Sequence, residues 1–334
     1  MKPMADDSNR HDNRSGRAPY PRLVGDVGGT HARFGWVQDP DSPVADIRTH
    51  DSADHAGFEA VLRHDLAQRG RPAPPSCAVG VATPVTGDRI AMTNRDWAFS
   101  IDAVRKAFGF ERFEVINDFA ALALAVPGLG DDERRPVGGG RAAPDAPLAI
   151  LGPGTGLGMA GLTPARPGLA PVVGEGGHAS LAGTDAREDA VIAILRRRFG
   201  HASAERALSG GGLVNLYRAC CELAGTPADD VEPSEVTARA GEGGDARCVE
   251  TVDLFFALLG SVAGNLALIL GARGGVYVGG GIVPQLGDRI DRSTFRERFE
   301  AKGRYREYLA SIPTWLITTD ESPALRGADR ALDR

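Results

Sequence analysis

The sequence predicts an α/β fold of two domains with an antiparallel component. Three observations lead there. A chain of 334 residues can bury a sizeable core and, at about 100–200 residues per domain, divides into two. Short runs of β-formers alternate with stretches of helical periodicity along its length. Three strand-like runs, at 24–30, 150–158 and 277–281, each end in a glycine cluster, an arrangement that lets backbone N–H groups approach an anion.

Residues 23–37 hold two runs of β-formers around Gly28-Gly29, the chemistry of a tight hairpin with positive φ at its turn. Asp26 lies just before the glycines and Thr30 just after them. A carboxylate beside a phosphate requires a cation between the two. The segment therefore reads either as a phosphate turn for a nucleotide carrying Mg²⁺ or as an ordinary hairpin with a solvated Asp26. No Lys follows the glycines, so it is not the Gly-x-x-x-x-Gly-Lys loop.

Residues 45–49 suggest a third strand, and Phe58, Val61, Leu62 and Leu66 give one face of a helix over 58–69, which the Pro-rich 71–75 ends. A buried strand at 77–82 and a short one at 89–93 follow. Ser100 reads as an N-cap, with Asp102 in the first turn and Gly109 just past the end. A strand at 113–116 runs into Asn117-Asp118 and a helix over 119–126. Residues 127–147 are dense in Gly, Pro and charge, the composition of an inter-domain connection or surface excursion. A second α/β set begins with a strand at 148–151 and continues with a helix over 189–199, whose Arg196-Arg197-Arg198 complements the helix dipole. Residues 254–272 carry no charge, but Gly260, Ser261, Gly264, Asn265 and Gly271 interrupt them, so a buried central helix is favoured over a membrane span. A strand at 275–278 then meets Gly279-Gly280-Gly281.

The net charge of −6 argues against a nucleic-acid partner, because phosphate backbones select basic surfaces. Cys77, Cys220, Cys221 and Cys248 show neither zinc-finger nor disulfide spacing, which suits a reducing compartment. Residues 1–21 have no apolar signal core and read as a disordered tail. Gly156-Leu157-Gly158-Met159-Ala160-Gly161 matches Gly-x-Gly-x-x-Gly, yet Leu162-Thr163-Pro164 cannot continue as the required helix. Three glycine junctions far apart in the chain suggest instead several turns converging on one polyphosphate and its nucleoside.

Asn117-Asp118, at the end of a strand, points into the crevice where α/β proteins bind ligands. Asp118 is then either a general base for an attacking hydroxyl or simply the N-cap of the helix starting at Phe119. In Gly174-Glu175-Gly176-Gly177-His178 the glycines leave little to pack, which suits two polar side chains aimed at a polyol. By local pattern alone Glu205 is a helix-surface acid.

Taken together, these residues resemble the bacterial glucokinase family, hexokinase-like sugar kinases of the actin/ATPase-domain fold. The resemblance rests on the following motifs: Leu23-Val24-Gly25-Asp26-Val27-Gly28-Gly29-Thr30; Ala91-Met92-Thr93-Asn94 with Trp97-Ala98-Phe99-Ser100; Ile116-Asn117-Asp118-Phe119; Gly154-Thr155-Gly156-Leu157-Gly158; Gly174 to His178; Ser203-Ala204-Glu205-Arg206; and Gly279-Gly280-Gly281-Ile282-Val283-Pro284. His31 stands where the family commonly has Asn. The Cys-rich zinc motif of the related repressor/ORF/kinase group is absent, so the resemblance is to the zinc-free type.

The resemblance implies a two-lobed, ribonuclease H-like α/β fold with the active site in the cleft. The smaller lobe would span 22–128, joined by the C-terminal segment from about 312 to 334, and the larger would span 129–311. It implies phosphoryl transfer from ATP, with Mg²⁺, to the 6-hydroxyl of D-glucose. Asp118 would be the base, and Asn117, Asp118, Glu175, His178 and Glu205 the sugar ligands. Gly25, Asp26, Val27, Gly28, Gly29 and Thr30 would form the phosphate turn, with Thr155 and Gly156 as a second phosphate contact and Gly279 and Gly280 as the nucleoside contact. Asp26 would face Mg²⁺, directly or through water. A cytoplasmic homodimer without nucleic-acid or membrane partners completes the expectation. A non-catalytic sugar sensor, or a kinase of another hexose or donor, would share the fold.

Overall fold

The computed structural model describes residues 17–93, 95–166, 168–241, 243–319 and 322–334. Asn94, part of one motif above, lies outside them.

The first sheet has the order β3-β2-β1-β4-β7, formed by β1 (Arg22–Val27), β2 (His31–Val37), β3 (Ala45–Asp51), β4 (Ser76–Val81) and β7 (Arg112–Asn117). β1, β2 and β3 pair antiparallel, whereas β1, β4 and β7 run parallel. Every residue of β4 is buried, as expected of a parallel strand covered on both faces. Helix α1 (Phe58–Arg69) packs Phe58, Val61 and Leu62 beneath this sheet with Phe34, Val79 and Phe113. The short hairpin β5 (Arg89–Ala91) and β6 (Ala98–Ser100) leads into α2 (Ile101–Phe108). Ser100 Oγ accepts the Ala103 amide at 3.1 Å, and Gly109 closes α2 at φ 73°, so both predicted caps are in place. Gly28 does not adopt positive φ; the hairpin closes instead through its N–H bonding the His31 carbonyl at 2.9 Å.

The second sheet repeats the plan. Its order is β11-β10-β9-β12-β13-β8, from β8 (Arg134–Pro136), β9 (Leu148–Pro153), β10 (Leu157–Pro164), β11 (Leu169–Gly174), β12 (Val276–Val278) and β13 (Thr314–Ile317). Again three antiparallel strands adjoin two parallel ones. Two expectations need correction here. The stretch 127–147 is more than a connection, because β8 within it forms an antiparallel edge on β13. The C-terminal segment divides between the lobes: β13 belongs to the second sheet, and only the residues beyond it return to the first.

Between the sheets lie α3 (Asp118–Ala125) and the C-terminal helix α12 (Pro323–Ala331). α3 presents Ala123 and Leu124 to Ile150, Leu162 and Tyr277 of the second sheet, while α12 presents Leu325 and Ala328 to Val24 and Ala78 of the first. The helices touch backbone to backbone, since a Cβ on Gly327 would lie 1.7 Å from the Ala121 carbonyl oxygen. α12 also anchors residues 17–21, read above as disordered tail. The Ala18 amide bonds the Leu332 carbonyl at 2.9 Å, and the buried Arg22 guanidinium reaches Asp329 at 2.9 Å and Asp333 at 2.7 Å.

The far side of the second sheet carries the larger core. It contains α4 (Ala186–Phe199), α5 (Gly210–Leu223), α6 (Pro233–Arg239), α7 (Ala246–Leu270) and the short helices α8 (Ile282–Gln285), α9 (Arg289–Arg292), α10 (Phe295–Glu300) and α11 (Arg306–Ala310). α7 is long and apolar enough to cross a membrane. Its Phe255, Phe256, Leu258 and Leu259 are fully buried, which makes it the core helix expected from the sequence.

Candidate active site

β7 and α3 meet at Asn117-Asp118, and the junction decides which residue caps the helix. Asn117 Oδ1 accepts the amides of Phe119 at 2.9 Å and Ala120 at 3.2 Å. Asn117 is thus the N-cap, and Asp118 is released from that duty into the first helical turn. Burial pushes the Asp118 carboxyl up to about 7, with repulsion from Asp26 and then Glu175 adding to it, while the Phe119 amide, bonded to Oδ1 at 2.9 Å, works against the rise. A carboxylate so placed is basic enough to take a proton near neutral pH.

Asp26 sits opposite, on β1. Burial holds its carboxyl above the ordinary range, and Ser322 Oγ, donating to Oδ2 at 2.7 Å, and Arg33, 3.7 Å away, partly offset that. The two acids share a cavity of about 350 Å³ lined also by Arg33, Gly279, Gly280 and Ser322. Gly280 has φ 78°, and a Cβ there would lie 2.3 Å from the Pro153 carbonyl oxygen. Among the predicted nucleotide residues, Asp26, Gly279 and Gly280 line the cavity with Asp118. Gly25 and Val27 lie inside β1, where Gly25 leaves room for Val79 and Phe34 and the Val27 side chain is buried in the core. Gly28, Gly29 and Thr30 form the turn; the carbonyl of Gly29 accepts from Arg95 Nε at 2.7 Å and that of Thr30 from the Ser52 amide at 2.8 Å.

Thr155 and Gly156 fall between β9 and β10, next to the other acids rather than in that cavity. A Cβ on Gly156 would meet Glu205 Oε2 at 2.5 Å. The same oxygen accepts the Leu157 amide at 2.9 Å, and the Glu205 amide bonds the Gly177 carbonyl at 2.8 Å. Glu205 therefore lies in a turn stitched between two glycine loops, not on a helix surface as local pattern suggested. His178 Nδ1 stands 4.0 Å from Glu205 Oε1, and Glu175 and His178 are exposed. Glu175, His178 and Glu205 thus gather on one rim, close enough for the Glu175 charge to act on Asp118.

Three residues escape the sequence reading. Arg33 pairs in register with Asp26, so counting back from Gly28-Gly29 along the hairpin would have found it. Thr83, whose carbonyl receives Asn117 Nδ2 at 3.5 Å, and Ser322, 296 residues from its partner Asp26, leave no local signal. Phe119 is seated by Gly158, where a Cβ would lie 1.9 Å from its ring, so this glycine leaves the space that positions the start of α3.

Comparison with known proteins identifies the family. Residues 23–334 match the glucokinase family model. The chain is 54% identical over 315 residues to the glucokinase of Aromatoleum aromaticum, covering 94% of this chain and 95% of that one. It is 51% identical over 308 residues to the glucokinase of Chromobacterium violaceum, covering 92% and 88%. A crystal structure of glucokinase from an Antarctic psychrotroph superposes with TM-score 0.85 at 36% identity, covering 93% of this chain and 98% of that one. A glucokinase of the repressor/ORF/kinase family from Streptomyces griseus, solved with glucose and AMPPNP, shares the fold at TM-score 0.64 and 20% identity, covering 93% and 99%. The architecture is that of the two-lobed actin-like ATPase fold, and the chain belongs to the glucokinase family.

Proposed function

We propose that the protein transfers the γ-phosphoryl group of ATP to the 6-hydroxyl of D-glucose, giving glucose 6-phosphate and ADP. The observation that carries this reading is Asp118, an acid held near pH 7 by burial in a cavity it shares with Asp26 and the Gly279-Gly280 turn. Phosphoryl transfer demands chiefly positioning and charge neutralisation, and a base for the attacking hydroxyl completes the requirement. Asp118 accepts the 6-hydroxyl proton. Asn117, whose Oδ1 is committed to capping, offers its Nδ2 to the sugar. Glu175, His178 and Glu205 hold the remaining hydroxyls, the two carboxylates gripping hydroxyl donors strongly. Such a site rejects sugars lacking a hydroxyl it is built to bond.

Mg²⁺ fits the acids present, because two half-buried carboxyls facing one cavity, one raised by the other's charge, make a pocket that a divalent cation relieves. Asp26 would hold it, and when bound the ion supplies neutralisation of the phosphate oxygens. The cytoplasmic homodimer belongs to the same reading. A coupled assay of ADP formation tests it: turnover should require glucose and Mg²⁺ with ATP, and initial rates across sugars and donors should peak at that pair. Absence of glucose-dependent ADP formation overturns it.

A further inference from the structure

Away from the cleft, three of the seven histidines of the chain meet at the edge of the first sheet. His50 is near the end of β3, His55 follows the turn 52–54, and His64 lies on α1. One ring nitrogen from each falls within 4.8 Å of the others. The ring centroids are 6.0 Å (His50 to His55), 5.5 Å (His50 to His64) and 5.1 Å (His55 to His64) apart. We propose that these imidazoles form a binding site for a first-row divalent transition ion, of which Zn²⁺ is the representative, with water completing the coordination.

The support behind the rings is what distinguishes this from a chance cluster. His50 is buried, and its Nε2 lies 2.9 Å from Oδ1 of the fully buried Asp65. The Nε2–H donates to that carboxylate, which leaves the Nδ1 lone pair for a ligand. Asp65 is fixed in turn by Arg69, with Nε donating to Oδ2 at 2.6 Å and Nη2 to Oδ1 at 3.1 Å, and Arg69 Nη2 also donates to the Phe34 carbonyl at 3.0 Å. A carboxylate orienting a ligating histidine is the usual outer support of such ions. On His64, Nε2 accepts the Gln68 side-chain amide at 2.8 Å, which fixes Nε2 as the nitrogen with the lone pair; an ion bound there takes the place of that exposed hydrogen bond.

Imidazole nitrogens suit Zn²⁺, Cu²⁺ and Ni²⁺ and not the hard, oxygen-seeking Mg²⁺. In a tetrahedral zinc site, nitrogens bound at about 2.0–2.1 Å sit about 3.4 Å from each other. His55 is half-buried and His64 exposed, so these two rings, rather than the buried His50, are the ones able to turn toward an ion from the solvent side. The site also backs the hairpin turn, since the Ser52 amide bonds the Thr30 carbonyl and Ser52 Oγ the Gly28 carbonyl at 3.4 Å.

The test uses the full-length chain without an affinity tag, in excess Mg²⁺ to occupy the acidic cleft. Calorimetric titration with Zn²⁺ should give one ion per chain, and Co²⁺ should develop the visible absorption of a tetrahedral nitrogen site. Both His55→Gln and His64→Gln should weaken Zn²⁺ about tenfold or more and lose the Co²⁺ spectrum, with glucose-dependent turnover in Mg²⁺ without added Zn²⁺ unchanged. A wild-type chain that takes up no Zn²⁺, or variants that bind it as tightly as wild type, would overturn the proposal.

Discussion

On the β1 and β7 side of the cleft, Asp26 and Asp118 are half-buried in the cavity wall and each accepts a short hydrogen bond, 2.7 Å from Ser322 and 2.9 Å from the Phe119 amide. Across from them Glu175 and His178 stand exposed, and His178 approaches Glu205 only to 4.0 Å. The side to which we assign phosphoryl transfer is thus set in the free protein at a cost in stability, whereas the rim to which we assign the sugar keeps its polar groups solvated. Drawing two repelling acids out of water destabilises the fold and, in the proposed reaction, prepares the chemistry; in the same proposal the open rim lets the sugar itself supply the missing partners.

Asp118→Asn should break the first half of this contrast with the largest effect. Turnover should fall by about 10²–10⁴-fold while glucose affinity stays within a few-fold. The same variant should be more stable than wild type by about 1–3 kcal/mol at pH 8. The sign follows from the titration: the carboxyl has an ordinary value of 3.8 in the unfolded chain and about 7 in the fold. Its contribution is fully present below the unfolded value and is lost as pH rises through 7, and asparagine escapes that loss. Denaturant melts at pH 5 and pH 8 would reveal it as a gap that widens with pH.

Gly158→Ala should come next, because its methyl group cannot coexist with the Phe119 ring. A destabilisation of about 1–3 kcal/mol and a fall in kcat of about tenfold or more are expected. Gly211→Ala, at a position open to solvent on α5, provides the neutral control.

What the sequence made legible is instructive beside these sites. Helix α1 and the ends of α2 were readable because apolar spacing and caps are local signals. β8 was not, since Arg134-Arg135-Pro136 has no strand pattern and is ordered by pairing with β13. Asp118 stood out by its neighbours Asn117 and Phe119, but the choice between base and cap needed hydrogen bonds. The contact of Ser322 with Asp26 and the seat of Phe119 on Gly158 arise only when distant segments pack.

Asp26→Ala sharpens the division within the buried side. The KM for Mg·ATP should rise about tenfold or more, with glucose affinity unchanged in a direct titration. Loss of glucose binding with ATP affinity intact would reverse the roles given to the two acids. On the open rim, Glu205→Gln should have the smallest effect, weakening glucose about tenfold, because the amide oxygen can still accept from Leu157 and only the charge is lost.

The measurement that bears most directly on Asp118 as the base is the pH dependence of kcat/KM for glucose in the wild-type protein. A base held near 7 predicts a rate that climbs about tenfold per pH unit below that value and levels above it. A profile that stays flat from about pH 5.5 to 8 would contradict the assignment.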